Sequence, residues 1–337
     1  MGGIHPLTIE AATRKFGDQT AVDSASLTLN PGEITALVGP SGSGKTTFLR
    51  LLAGMERLDA GEIHSGPNVL ANATTHIPIE QRKIGLVFQD FALFPHMTVL
   101  QNVTFGLRHL SKLDRINTAE QWIDRLGLSH RKNAYPHHLS GGEQQRTAIA
   151  RALAPEPVAI LLDEPFSGLD PSMRDRVRDA ALGIVRSAGI PALLVTHDAS
   201  EALVHADKIA VISEGRILQT GSPSEVYHSP RNLDVARALG PIHSVAATEI
   251  PGEWREKLVP GAAEYWYRPE AILLGSGTPL VVKGSKLAGP TTELSIALNE
   301  NTQILAACQP GTPVHAGDQV SVSINPALFF DFTSKTT

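Results

Sequence analysis

Before about residue 240 the apolar residues gather into short unbroken runs and helical stripes; after it they fall into short alternating runs punctuated by Gly and Pro. Residues 7–11 and 26–29 alternate and read as strands, with Asn30-Pro31-Gly32 as the turn that follows. Residues 158–162 are a continuous apolar run of strand length, 84–88 are another apolar run, and 33–38 and 192–196 read as buried strands. Runs of that kind fit strands buried on both faces, as in a parallel sheet covered by helices. Residues 47–53 predict a helix closed by Gly54. Ser140 and Glu143 fit the S-x-x-E capping box and open a second helix, which runs to about Leu153 and stops ahead of Pro155. Between them, residues 100–138 carry helical periodicity around Ile116, Trp122, Ile123 and Leu126, with Gly127 as a stop. A helix over 199–206, a hairpin of 209–212 with 217–219, and two helices near 224–228 and 233–239 complete this part. The later runs, 265–267, 280–282, 294–297, 304–306 and 320–324, suggest a small β-barrel. The pattern predicts an α/β domain over 1–240 and a barrel domain over 241–337.

One loop stands out between a predicted strand and a predicted helix. It is Gly39-Pro40-Ser41-Gly42-Ser43-Gly44-Lys45-Thr46, of the form G-x-x-x-x-G-K-[ST]. Such a loop turns backbone N–H groups onto the phosphates of a nucleotide; its lysine reaches the β- and γ-phosphates and its threonine hydroxyl suits Mg²⁺. The helix that starts near Thr47 adds its N-terminus, where free N–H groups and the dipole favour an anion.

Three other strand ends carry polar residues. Gln89 follows the run 84–88, Asp163 and Glu164 follow 158–162, and His197 follows 192–196. In a parallel sheet with helical crossovers these ends share one edge, where ligands bind. Two acids directly after a buried strand need a cation or a partner. Beside a phosphate loop they read as a Mg²⁺ site and a base for water.

Further positions carry two readings each. Gly141 and Gly142 follow the capping Ser140, and each glycine costs a helix about 1 kcal/mol against Ala. Capping alone gives them no purpose; they make sense where a phosphate must approach that helix end closely. Phe16 fits a small core or an exposed aromatic that stacks on adenine. Residues 90–99, Asp90-Phe91-Ala92-Leu93-Phe94-Pro95-His96-Met97-Thr98-Val99, are unusually apolar for a loop and fit core or a docking surface.

Composition narrows the classes. A chain of 337 residues with 42% hydrophobic content accommodates two domains and a substantial core. The net charge of −5 gives no electrostatic case for nucleic acid as a partner. The single cysteine, Cys308, excludes an internal disulfide framework and fits a reducing compartment. No run approaches the roughly 18 apolar residues of a membrane span, and no charged-then-apolar signal opens the sequence. The expectation is a cytoplasmic chain, with a partner supplying the membrane part of any membrane process.

Together these residues resemble the ATPase subunit of an ATP-binding-cassette (ABC) transporter over about residues 7–235. Residues 39–46 match Walker A and 158–163 match Walker B. Leu139-Ser140-Gly141-Gly142-Glu143 match the ABC signature, which other P-loop proteins lack. Gln89, residues 167–170 and His197 match the Q-, D- and H-loops, and Phe16 matches the aromatic A-loop, where tyrosine is more usual. Tyr267-Arg268-Pro269-Glu270-Ala271-Ile272-Leu273-Leu274 looks like a strand of the TOBE domain, an OB-like barrel appended to some importer ATPases. Maltose, polyamine, sulfate, molybdate, thiamine and ferric-iron importers have such subunits; the run 84–107 and the short C-terminal domain look most like the ferric-iron type.

The resemblance implies a P-loop cassette, with a mainly parallel sheet and antiparallel and helical subdomains, followed by the OB-like barrel. It implies a head-to-tail homodimer with two ATP molecules between subunits. Residues 39–47 of one subunit would hold each ATP with Phe16, and Ser140, Gly141, Gly142 and Asp170 of the other would complete the site. Lys45 and Thr46 would bind phosphate and Mg²⁺, and Asp163 would hold Mg²⁺. Glu164 would polarise the attacking water and His197 would brace the γ-phosphate. Gln89 would sense γ-phosphate and Mg²⁺ and pass that state to residues 91–99, which would touch a membrane permease subunit; a solute-binding protein would act indirectly. The place implied is the cytoplasmic face of the inner membrane. Two other classes lie open: a soluble ABC ATPase, which usually has two cassettes or a long coiled coil, and a P-loop kinase or switch, which needs no signature helix.

Overall fold

The computed structural model describes residues 4–311 and 313–332, without the side chains of 171–173. It divides into two compact units, Met1–Pro223 and Ser224–Thr337.

The first unit opens with two long antiparallel strands, β1 (Leu7–Phe16) and β2 (Gln19–Leu29). Strand β3 (Ile34–Val38) then runs into the glycine-rich loop and α1 (Lys45–Ala53). Strands β4 (Ala60–Ser65) and β5 (Asn68–Ala71) join the first pair in a sheet ordered β2-β1-β4-β5. After β6 (Ile84–Val87) come the helices α2 (Val99–Thr104), α3 (Lys112–Arg125) and α4 (Gly141–Leu153). The chain alternates thereafter: β7 (Ala159–Asp163), α5 (Pro171–Ser187), β8 (Ala192–Val195), α6 (Ala199–His205) and the hairpin β9 (Lys208–Ser213) with β10 (Arg216–Gly221).

Six of these strands make the central sheet, in the order β10-β9-β3-β8-β7-β6. All its pairs are parallel except the β9–β10 hairpin. Successive side chains of a strand point to opposite faces, and the burial follows that rule. Ile160, Leu162 and Leu194 enter a core with α2 to α5, while Leu161, Leu193 and Val195 enter a second core with α1 and the antiparallel sheet. Both faces are covered, which is why these runs are apolar throughout.

Local chemistry sets the helix ends. Ser140 and Glu143 form a reciprocal capping box at α4, as their spacing predicts. Gly54 closes α1 in the left-handed region, with φ +82°. Buried Arg82 then donates to the carbonyls of Leu51, Leu52 and Ile77, putting a cation on the negative end of α1. Burial lowers the Arg82 guanidinium to about 10.

The second unit takes α7 (Pro223–His228) almost whole, then α8 (Leu233–Ala238), β11 (His243–Ala246), α9 (Gly252–Arg255) and β12 (Glu264–Tyr267). Its remaining strands are β13 (Ile272–Leu287), β14 (Thr292–Ala297), β15 (Gln303–Cys308), β16 (Gln319–Ile324) and β17 (Phe329–Phe330). They form two antiparallel sheets, β11-β12-β17 and β15-β14-β13-β16, around one core that includes Trp254, Tyr267, Ile296 and Val322. Strand β13 bends at Gly277, where Leu274 and Thr278 both pair with Val322. A Cβ at Gly277 would lie 2.3 Å from the Val322 carbonyl oxygen.

The structure draws its boundary at Pro223/Ser224, earlier than the expected 240/241. The reason lies in side chains that periodicity does not reveal. Arg268, fully buried, stacks 3.8 Å over the Tyr227 ring and donates to the Ala236 carbonyl. Tyr227 bonds Glu270, and Arg237 lies over Trp266. Helices α7 and α8 therefore belong with the β domain.

Candidate functional site

The phosphate loop follows β3 at the centre of the six-stranded sheet and ends as α1 begins. Two of its glycines are obligatory. A Cβ at Gly39 would sit 2.0 Å from the Ile212 carbonyl oxygen. Gly44 has φ +102°, and a Cβ there would lie 2.3 Å from the Ala21 carbonyl oxygen. Pro40, Ser41, Gly42 and Thr46 are exposed at the loop surface, Gly39, Gly44 and Thr47 are half-buried, and Ser43 is buried. Lys45 Nζ donates to the carbonyls of Gly39 and Pro40, at 2.7 and 2.8 Å. The loop is thus already folded around its cation. Burial lowers the Lys45 ammonium, while the Glu164 and Asp163 carboxylates oppose that shift.

Strands β3, β8, β7 and β6 are consecutive in the sheet and parallel, so their carboxyl ends share one edge. That edge brings together the phosphate loop, His197, the Asp163–Glu164 pair and Gln89, as the sequence order required. Asp163 closes β7, and burial and then the neighbouring Glu164 raise its carboxyl above the usual range. Glu164 takes a left-handed φ of +44°, and its N–H donates to the Val195 carbonyl. That turn aims its side chain at the end of β8, where Oε2 meets Nδ1 of His197 at 2.9 Å. His197 and Gln89 are exposed. Ser167 Oγ donates to the Glu164 carbonyl, tying the segment before α5 to the same corner. Asp170, exposed, immediately precedes α5.

Ser140 caps α4, and Ser140 and Gly141 are exposed at its start. This helix packs in the core on the opposite face of the sheet from α1. The glycines have a purpose within one chain after all. A Cβ on Gly142 would come 2.9 Å from Val177 of α5, and one on Gly141 would come 3.3 Å from Leu169. The Glu143 carboxylate accepts from the Ser140 N–H at 2.8 Å and from Arg131 Nε at 3.0 Å.

Phe16 is 46% exposed, so it is a surface aromatic and not core. Arg14 lies 4.6 Å over its ring and is itself held by Glu56 and Asp59. Arg14 is a neighbour that the sequence reading missed. Its signal was the two-residue spacing on a strand, which puts both side chains on one face. Residues 91–99 divide between the two readings offered for them. Phe91 and Val99 are buried in the helical core, whereas Ala92, Pro95 and His96 are exposed. Only the middle of the segment offers a surface.

Comparison with known proteins places this geometry. Residues 22–167 match the ABC transporter family, and residues 267–330 match the TOBE domain family. The chain is 42% identical over 312 residues to an Fe(3+) ions import ATP-binding protein of Pseudomonas fluorescens, covering 88% of each sequence. It is 44% identical over 257 residues to a sulfate/thiosulfate import ATP-binding protein of Chromobacterium violaceum, covering 76% of this chain and 68% of that one. Among solved structures, a dimeric post-hydrolysis ATP-binding cassette bound to ADP and Pi matches with a TM-score of 0.56 at 30% identity. That match covers 64% of this chain and 98% of the cassette.

Proposed function

The chain belongs to the ATPases of ABC importers, an ATP-hydrolysing family, and from that premise we propose how its residues divide the work. The observation that carries the reading is the shared sheet edge, where the phosphate loop, Gln89, Asp163, Glu164 and His197 leave adjacent parallel strands. Residues 39–47 take the phosphates of ATP on backbone N–H groups, and Lys45 turns from its two carbonyls to the β- and γ-phosphates. Phe16 stacks on the adenine, with Arg14 behind the ring. Glu164 accepts a hydrogen bond from the attacking water. The Glu164 carboxylate accepts from His197 Nδ1, which fixes the ring as it braces the γ-phosphate. Phosphoryl transfer of this kind needs positioning and charge stabilisation above all.

A divalent cation fits the same edge. Asp163 is a half-buried carboxylate beside a second one, a pair that favours a cation, and the Thr46 hydroxyl and Gln89 carbonyl supply further hard oxygen donors. Thr46, Gln89 and Asp163 would hold Mg²⁺, which when bound neutralises phosphate charge. Ser140, Gly141, Gly142 and Asp170 serve the ATP of a second copy, in a head-to-tail homodimer. Support comes from the opposite-face packing of α1 and α4 and from the dimeric state of the cassette with ADP and Pi.

The partner is a membrane permease, contacted through the exposed part of 91–99, with a solute-binding protein acting beyond it. Among the described residues no helix is long and apolar enough to cross a membrane. The permease thereby carries the chain to the cytoplasmic face. Ferric iron is the solute proposed, because the relative named for Fe(3+) import aligns over more of both chains than the sulfate one. The test reconstitutes the chain with the permease that co-purifies with it and measures ATPase with binding protein loaded with ferric iron, sulfate or a polyamine. Stimulation by the iron-loaded protein alone is the expected result. Stimulation only by another solute overturns the iron reading, and failure of any permease to co-purify overturns the contact proposed for residues 91–99.

A further inference from the structure

The segment after Gln89 contains two consecutive residues in the left-handed region, Phe91 at φ +61° and Ala92 at φ +45°. Neither is glycine, and such conformations persist only where the surroundings impose them. Arg151 is the imposing group. From the last turn of α4, its Nη1 donates to the Ala92 carbonyl at 2.6 Å and its Nη2 to the Phe91 carbonyl at 2.9 Å. Its guanidinium also lies 5.5 Å from the centroid of the Phe94 ring. The planar guanidinium gives each of the two successive carbonyls its own nitrogen at a fixed angle, whereas a lysine offers a single nitrogen on a flexible stem. The far end of the segment is fixed separately. Fully buried Asn102 on α2 accepts from the Phe94 N–H and donates to the carbonyls of Phe94 and Met97.

The segment therefore leaves the sheet at Gln89 and is fastened at two points to helices, α4 and α2, that pack on each other. The strained corner is itself the first fastening, and it lies between the sheet edge at Gln89 and the hold of Asn102. The same α4 carries Ser140 and Gly141 at its other end.

We propose that Arg151 is a positioning residue that locks the Phe91–Ala92 corner to α4, so that nucleotide engaged at the sheet edge or at the start of α4 changes the order of the segment that follows Gln89. This rests on the nucleotide site proposed above, but it needs neither a permease nor the docking role of the segment.

Hydrogen–deuterium exchange on the full chain, with and without ATP and Mg²⁺, tests it, because exchange reports local opening. In the unmodified chain, ATP should slow exchange both in the phosphate loop and in residues 89–97. In Arg151→Lys, protection of the loop should remain, while the ATP-dependent difference in 89–97 should shrink at least about ten-fold. A purely structural role would speed exchange in both states and keep the difference. Arg151→Gln, which keeps a planar amide with a single donor nitrogen and no charge, provides a second variant should the first not fold. A retained ATP-dependent difference in either folded variant overturns the proposal. So does the absence of any ATP effect on 89–97 in the unmodified chain that binds ATP, or unfolding of both variants. Failure of ATP to protect the loop in the unmodified chain would instead count against the nucleotide site itself.

Discussion

Glu164 Oε2 lies 2.9 Å from His197 Nδ1, across the adjacent parallel strands β7 and β8. The contact exists because Glu164 adopts φ +44° immediately after β7, turning its carboxylate sideways along the sheet edge. Two groups that the sequence separates by a whole crossover thereby share one corner. His197→Ala should lower turnover by about 10²-fold or more, the range for a lost preorganised donor to the reacting phosphate, with a smaller loss of ATP affinity. Steady-state ATPase and nucleotide titration check both parts.

A fragment ending at Pro223 should fold and bind ATP as the whole chain does, because the boundary falls there. A fragment ending at 240 should gain nothing and aggregate more readily. It would carry Tyr227 and Arg237 without the Glu270 and Trp266 that they contact. Thermal melts and ATP titration of the two fragments decide the matter.

The shared site is testable with two inactive variants. Lys45→Ala spoils the phosphate loop. Ser140→Asp keeps a good helix cap but puts a carboxylate where the partner's γ-phosphate would lie. It is preferable to a change at Gly142, where any side chain would crowd Val177. A mixture should recover ATP-dependent dimerisation and some single-turnover hydrolysis, because one complete site forms. Mixed dimers that bind and turn over no better than either variant alone would count against sharing.

The pH dependence of stability should contain a term from Glu143. Burial works against its charge, but the Ser140 N–H and hydroxyl and Arg131 outweigh burial and hold the carboxyl below its ordinary value of 4.5. A depressed acid contributes stability that is present above the ordinary value and is lost as pH falls through the folded one. Glu143→Gln keeps the cap and loses the charge pairing. It should cost about 1 kcal/mol at pH 7 and flatten the acid-side loss. Urea unfolding of both proteins from neutral pH down to about pH 3 measures it.

The central sheet and the residues at its edge were legible because their signals are local. Each buried run is continuous, and each polar residue directly follows one. What escaped depends on long-range contact or on bends. Strands β1 and β2 extend well beyond the alternating runs, because Ala11 and Ser24 adopt positive φ and shift the register. Strands β4 and β5 lack an apolar stripe and exist by pairing with β1 and each other. The domain boundary and the Arg151 fork rest on partners dozens of residues away. The second constraint on Gly142 escaped because its neighbour Val177 lies on another helix.

The most direct test of the account is Glu164→Gln. Gln keeps the shape of the side chain and a bond to His197 but removes the charge that polarises water. Steady-state ATPase should fall by roughly 10²- to 10⁴-fold, the range for a lost general base, while ATP affinity stays at the level of the unmodified chain. Turnover near that of the unmodified chain, in a variant that binds ATP normally, would contradict the account.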